Sequence, residues 1–124
     1  MKVPILKQQQ YLIASIQSAL SDGDLVELQS DLAARVGRFR ARGVIIDVTP
    51  LDVLDSFSVR TLRTLAHVIR LRGAETVIVG IQPDLAFAMV QLGLGLDGIT
   101  TALDLEDGLA CLEQRLTRRA EDGN

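Results

Sequence analysis

The residues best suited to chemistry in this 124-residue chain stand together at Asp55-Ser56-Phe57-Ser58. A helix beginning near Phe57 leaves its first backbone N–H groups without intrahelical partners, at the positive end of its dipole. Asp55 or Ser56 carries the short oxygen-bearing side chain that caps such groups, so capping occupies one residue and leaves a hydroxyl over. A phosphate added there brings about −1.5 to −2 charges, which the dipole holds rather than repels. Phosphorylation is therefore expected to switch surface charge without unfolding the helix. Ser56 is favoured over Ser58 because it follows the Asp directly and lies nearest the free N–H groups. The two hydroxyls sit about 200° apart round a helix axis and cannot point the same way.

Other constellations point to less. Gly93-Leu94-Gly95-Leu96-Asp97-Gly98 spells a dinucleotide fingerprint, but it follows a helix and leads to a strand, the reverse of the context phosphate binding needs. Its plain reading is a loop. Asp47 and Asp52 suggest a phosphate-accepting receiver site, yet the N-terminal strands end without the further carboxylates that would hold Mg²⁺. Asp47 reads instead as a polar residue at the sheet end, and Asp52 as a loop acid. The sole histidine, His67, lies about 15 Å up the helix from the serines at about 1.5 Å per residue, too far for a hydrolytic triad. Cys111 has no second histidine to activate it and reads as a core or boundary thiol.

The elements that position Ser56 are legible on either side. Val44 to Thr49 is a β-branched run interrupted by one Asp, with Gly43 before and Pro50 after, the profile of a buried strand. From Val59 the spacing turns helical, with Val59, Leu62, Ala66 and Ile69 on one face, widened by Leu65 and Val68. Arg60, Arg63, His67 and Arg70 make a basic row on another face. This row and the acidic loop of Asp52 and Asp55 offer a partner both signs of charge, although a charge row is also the ordinary wetted side of a helix.

Upstream, Val3 to Lys7 and Tyr11 to Ile16 read as antiparallel strands joined by the glutamine turn Gln8 to Gln10. Asp24 with Glu27 resembles a capping box, opening a helix that carries Leu25, Leu28, Leu32, Val36 and Phe39 until Gly43. Downstream, Gly73 ends the central helix and Thr76 to Ile81 repeats the buried-strand signature. A short helix is expected from Asp84 to Leu92, closed by Gly93, with a weak strand at Ile99 to Ala102. Asp104 caps a last helix with a stripe of Leu105, Leu109, Leu112 and Leu116, and Ala120 to Asn124 looks frayed. The whole predicts one α/β domain over 1–124, a mixed sheet with an N-terminal hairpin and about four helices.

Composition narrows the function. Net charge is −3 with a pI near 5.0, which disfavours nucleic acid as the main partner. The clusters Arg35, Arg38, Arg40, Arg42 and Arg115, Arg118, Arg119 read as helix C-terminal ends, where cations suit the dipole. One cysteine allows no internal disulfide and fits a reducing compartment. With no signal peptide and no apolar run of about 18 residues, the expectation is a cytoplasmic protein without membrane contact, metal or cofactor.

Asp55-Ser56 after a Val-Ile-Ile-Asp strand and before a helix resembles the phosphorylation motif of the STAS domain family, the anti-sigma-factor antagonists and their relatives. Further segments extend the likeness: Pro4-Ile5-Leu6-Lys7, Ser15-Ile16-Gln17, Gly43 to Thr49, Gly80-Ile81-Gln82-Pro83, and Thr101 to Glu106 followed by Gly108-Leu109. In this order they resemble the small single-domain STAS proteins of bacterial stressosomes, from Pro4 to about Leu116. Simple antagonists resemble Asp-Ser-Ser-Gly or Asp-Ser-Thr-Gly at the motif, where this chain has Phe57 and Ser58.

The resemblance implies a scaffold and switch rather than an enzyme. Ser56 would be the phosphoacceptor, and Asp52, Asp55, Phe57, Arg60 and Arg63 would contact partners. A serine kinase of the RsbT type would be held until phosphorylation repels an acidic partner surface. A metal-dependent serine phosphatase would reset the site. Assembly would be with copies of the chain and with RsbR-type STAS paralogues. The alternatives are a free antagonist binding an anti-sigma kinase one to one, or a small nucleotide-binding enzyme.

Overall fold

In the computed structural model, residues 3–96 and 98–122 are described. A hairpin of β1 (Ile5–Gln8) and β2 (Tyr11–Ser15) leads into α1 (Asp22–Phe39), β3 (Gly43–Asp47), α2 (Ser56–Leu71), β4 (Glu75–Val79), α3 (Pro83–Gln91), β5 (Thr100–Ala102) and α4 (Leu105–Asp122). The five strands lie side by side in sequence order. β1 pairs antiparallel with β2, while β2 to β5 are parallel, so the sheet is mixed as expected. Gln9 takes a left-handed conformation (φ 55°) in the tight hairpin turn.

Sequential order of parallel strands has a direct consequence for layering. Crossovers of one hand stepping always to the next neighbour place their helices on one face. Leu28, Leu32 and Val36 of α1, Val59, Leu62, Leu65 and Ile69 of α2, and Leu85 and Met89 of α3 accordingly share a core with Leu12, Ala14, Val44, Ile46 and Ile78. The alternate strand residues Tyr11, Ile13, Ile45, Val77 and Val79 face the other way and are covered by Leu112 and Leu116 of α4. Gly108 lets α4 approach closely, since a side-chain carbon there would stand 2.7 Å from Val79 Cγ1. Among the described residues no helix is long and apolar enough to cross a membrane.

Several boundaries differ from the sequence reading. α1 starts at Asp22: Ser21 caps it, its hydroxyl accepting from the Asp24 N–H at 3.1 Å while Asp24 accepts from the Ser21 N–H at 3.2 Å. The box is thus Ser21 with Asp24 rather than Asp24 with Glu27, because a hydroxyl immediately before the first turn captures a free N–H group. α1 ends at Arg40 in a left-handed conformation (φ 50°), not at Gly43. Gly43 opens β3 instead, where a side chain would collide with Leu112 and Tyr11 at 2.8 and 2.9 Å. Arg115 and Arg119 do more than complement a helix end, since both pair with the buried Glu75 at 3.8 and 3.0 Å. Arg35 pairs with Asp31 at 2.9 Å. Of the tail expected to fray, α4 carries 120–122, and Gly123 and Asn124 lie outside the described residues.

Candidate functional site

Each parallel strand is followed by a helix that runs back across the sheet, so α1, α2, α3 and α4 all begin at the strand C-terminal end, where sites of α/β domains are usually built. Acids collect at this end. Asp22 and Asp24 lie in the first turn of α1, Asp84 in that of α3, and Glu106 and Asp107 in that of α4. Asp104 caps α4 as expected, accepting from the Asp107 N–H at 2.9 Å. Basic residues close three of the helices at the opposite end, with Arg38, Arg70 and Arg119 in their last turns. The charges follow the helix dipoles.

Asp55 is the N-cap of α2. Its backbone is extended (φ −79°, ψ 174°) and its carboxylate accepts from the Ser58 N–H at 2.7 Å. That hydrogen bond first, then one from the Ser58 hydroxyl, and the nearby Arg60 charge hold the Asp55 carboxyl below its ordinary pKa, against the opposing effect of desolvation. Ser56 is the first helical residue and is exposed. Its N–H belongs to the group that a helix cannot satisfy internally. Ser58 is half-buried and its N–H is committed to the cap. The two serines are therefore in different surroundings, one at the open pole and one turned toward a cleft.

The loop before α2 rests on a hydrogen-bonded floor. Asp47 accepts from both the N–H and the hydroxyl of Thr49, at 2.9 and 2.5 Å, and the Thr49 carbonyl accepts from the Gln82 side chain at 2.6 Å. The Val48 N–H donates to Val79 at 3.0 Å. Gly80 has φ +84°, and a side-chain carbon there would lie 2.9 Å from Thr49 Cβ and 3.0 Å from its Cα. Asp47, the last residue of β3, thus ties the following turn down.

The structure brings Asp52, Asp55 and Ser56 together on an exposed loop and helix start, with Phe57 half-buried beside them. Arg60 is exposed and Arg63 half-buried one and two turns along α2, followed by the exposed His67 and Arg70. The glycine loop joins α3 to β5, with left-handed Gly93 (φ 70°) and Gly98 (φ 80°); Asp97 lies outside the described residues. Cys111 is half-buried and packs against the α4 core.

Sequence reasoning missed a cleft of about 120 Å³ beside the start of α2. Its walls are Ile16, Ala19 and Leu20 after β2, Leu25 in α1, Leu51, Val53, Leu54 and Asp55 before α2, and Ser58 and Leu62 in α2. Val53 at its edge is 71% exposed. Two adjacent aliphatic residues, Val53 and Leu54, standing between the loop acids Asp52 and Asp55 were the available signal.

Comparison with known proteins agrees with this architecture. A serine-to-glutamate variant of RsbS from Moorella thermoacetica superposes with a TM-score of 0.79 at 32% identity, covering 95% of this chain and 99% of that one. A structure describing the molecular architecture of the stressosome, a signal integration and transduction hub, gives a TM-score of 0.74 at 30% identity, covering 91% and 98%. The RsbT co-antagonist protein RsbRA of Bacillus subtilis (strain 168) is 29% identical over 82 residues, 66% of this chain and 30% of RsbRA, so the chain spans under a third of that relative. Residues 2–108 match the model of the STAS domain. With this match over most of its length, the hairpin-led sheet and the serine at the start of α2, the chain belongs to the STAS domain family.

Proposed function

We propose that this chain is a non-enzymatic cytoplasmic scaffold of a stressosome-type signalling complex, which holds a serine kinase of the RsbT type and releases it when Ser56 is phosphorylated. One observation carries the reading: Asp55 performs the capping, so the Ser56 hydroxyl is exposed at a helix start with no structural task of its own. The relation to RsbS and RsbRA supports assembly with copies of the chain and with RsbR-type paralogues, and a metal-dependent phosphatase would reset the switch. A phosphate on Ser56 adds about −1.5 to −2 charges beside Asp52 and Asp55. A kinase working on Ser56 brings nucleotide phosphates to the same point. The product and the active site then repel each other, and release follows from like charge at the pole of α2.

The test is kinase retention on immobilised protein with phosphopeptide mapping alongside. Ser56→Ala should hold the kinase under conditions that release it from the unsubstituted chain, and Ser56→Asp should weaken retention only in part, since one carboxylate carries less charge than phosphate. Normal release from Ser56→Ala would move the switch to Ser58 or elsewhere.

A further inference from the structure

Two exposed patches of opposite charge lie at opposite ends of the molecule, each with apolar side chains standing in water. Where α1 and α2 end, Arg38, Arg40, Arg70 and Arg72 are all exposed, together with Phe39 and Leu71, the latter over 89% of its surface. The two helix ends form one surface, because Arg72 lies across Gly37 so closely that a side-chain carbon there would collide with its guanidinium. None of these four arginines forms an ion pair with a described residue; the carboxylates of Asp31 and Glu75 are taken by Arg35 and by Arg115 and Arg119. Arg40 moreover occupies a left-handed helix stop (φ 50°) where glycine is the ordinary residue, so a cation is kept where the backbone disfavours any side chain. The other patch is Leu103-Asp104-Leu105-Glu106-Asp107 at the start of α4, exposed throughout, with Leu103 77% in water.

We infer that these patches bind each other between copies of the chain: the start of α4 in one molecule docks on the ends of α1 and α2 in the next. The inference rests on the proposed assembly with copies and assigns that assembly its surfaces. Charge complementarity selects the occupant, since a second copy brings carboxylates to arginines that have none, and exposed leucines to exposed Phe39 and Leu71. Arginine forks match carboxylates, and the apolar side chains between them lose their contact with water. Within one molecule the patches cannot meet: the 16 residues of α2 set its basic end about 24 Å, at about 1.5 Å per residue, from the strand ends where the helices begin. Two different surfaces pair, so the contact is heterologous and leaves each molecule one patch for a further neighbour, as in a ring or an open chain. α4 lies on the sheet face opposite α2 and starts after the edge strand β5 rather than the central β3. The contact therefore uses neither Asp55 nor Ser56.

The experiment is sedimentation of the purified chain over a range of concentrations at low salt, with three double variants. Arg38→Glu with Arg70→Glu reverses the basic patch, Glu106→Arg with Asp107→Arg reverses the acidic one, and Glu27→Arg with Glu113→Arg changes exposed charges outside both. Each patch variant alone should self-associate at least about a hundredfold more weakly, the effect of setting like charges opposite each other. The control should stay within about threefold of the unsubstituted chain, whose association should itself weaken as salt is raised. An equimolar mixture of the two patch variants should restore association, because it pairs the native acids of one with the native arginines of the other; a misfolded variant could not do this. Association of either patch variant alone at the original strength overturns the inference, and so does a mixture that fails to assemble; both results leave the proposed assembly with copies intact. An unsubstituted chain that stays monomeric at every concentration overturns both.

Discussion

Replacing Gly80 by alanine should destabilise the domain and loosen the loop before α2 together. At φ +84° an L residue carries a cost of about 1–2 kcal/mol from backbone sterics. The new carbon would also stand 2.9 Å from Thr49 Cβ and 3.0 Å from Thr49 Cα. Thr49 cannot turn aside freely, because its N–H and hydroxyl are bonded to Asp47 and its carbonyl to Gln82. Shifting it sacrifices at least one hydrogen bond, about 1 kcal/mol more. The total is about 2–3 kcal/mol, or a fall of about 8–12 °C in Tm at about 4 °C per kcal/mol for a domain of this size. Urea denaturation of Gly80→Ala, Thr49→Gly and the double variant measures it as a cycle. The double variant should lose less than the sum of the single losses, because without its side chain Thr49 no longer obstructs position 80. A loss below about 1 kcal/mol for Gly80→Ala, or strict additivity in the cycle, would refute the role of Thr49 as the fixed floor of the loop.

Two further outcomes are expected. Leu112→Ala, in the helix that covers the second face of the sheet, should cost about 2–5 kcal/mol in denaturant titration, since Leu112 is fully buried against β3 and β4. The lowered pKa of Asp55 means its cap contributes fully above the ordinary carboxylate pKa and is lost as pH falls through the lowered folded value; amide exchange at Ser58, normalised for intrinsic pH dependence, should therefore gain protection on going from strongly acidic conditions to pH 5 and stay level beyond.

Where local chemistry decides structure, the chain is readable. The run Val44 to Thr49, β-branched apart from Asp47, reads as a strand between its breakers, and β3 occupies Gly43–Asp47; a cap at Asp55 or Ser56 was legible, and the structure gives it to Asp55. Ambiguity enters where one residue type serves two purposes. Gly43 and Gly73 look alike in sequence, yet Gly73 is a left-handed helix stop (φ 93°) and Gly43 is a gap left for Leu112 and Tyr11. The pairing of Arg119 with Glu75 spans 44 positions and has no local signature. The cleft is hidden for the same reason: its walls come from several separated segments, and only the packing of α1 against α2 makes them neighbours. The start of α2 was legible because capping and helix dipole act within four consecutive residues.

The acids in the first turns of α1, α3 and α4 and the arginines in the last turns of α1, α2 and α4 give this small molecule a charge asymmetry that its net charge of −3 does not describe. A partner diffusing nearby experiences a torque as well as an attraction, so the molecule turns its serine pole toward cationic surfaces before contact. Encounters become productive at a larger fraction of collisions, and the association rate, rather than the lifetime of the complex, becomes the quantity most sensitive to ionic strength. A phosphate on Ser56 would deepen the negative end, so its repulsion of a nucleotide-bearing active site would act on molecules still separated by water as well as on those already bound.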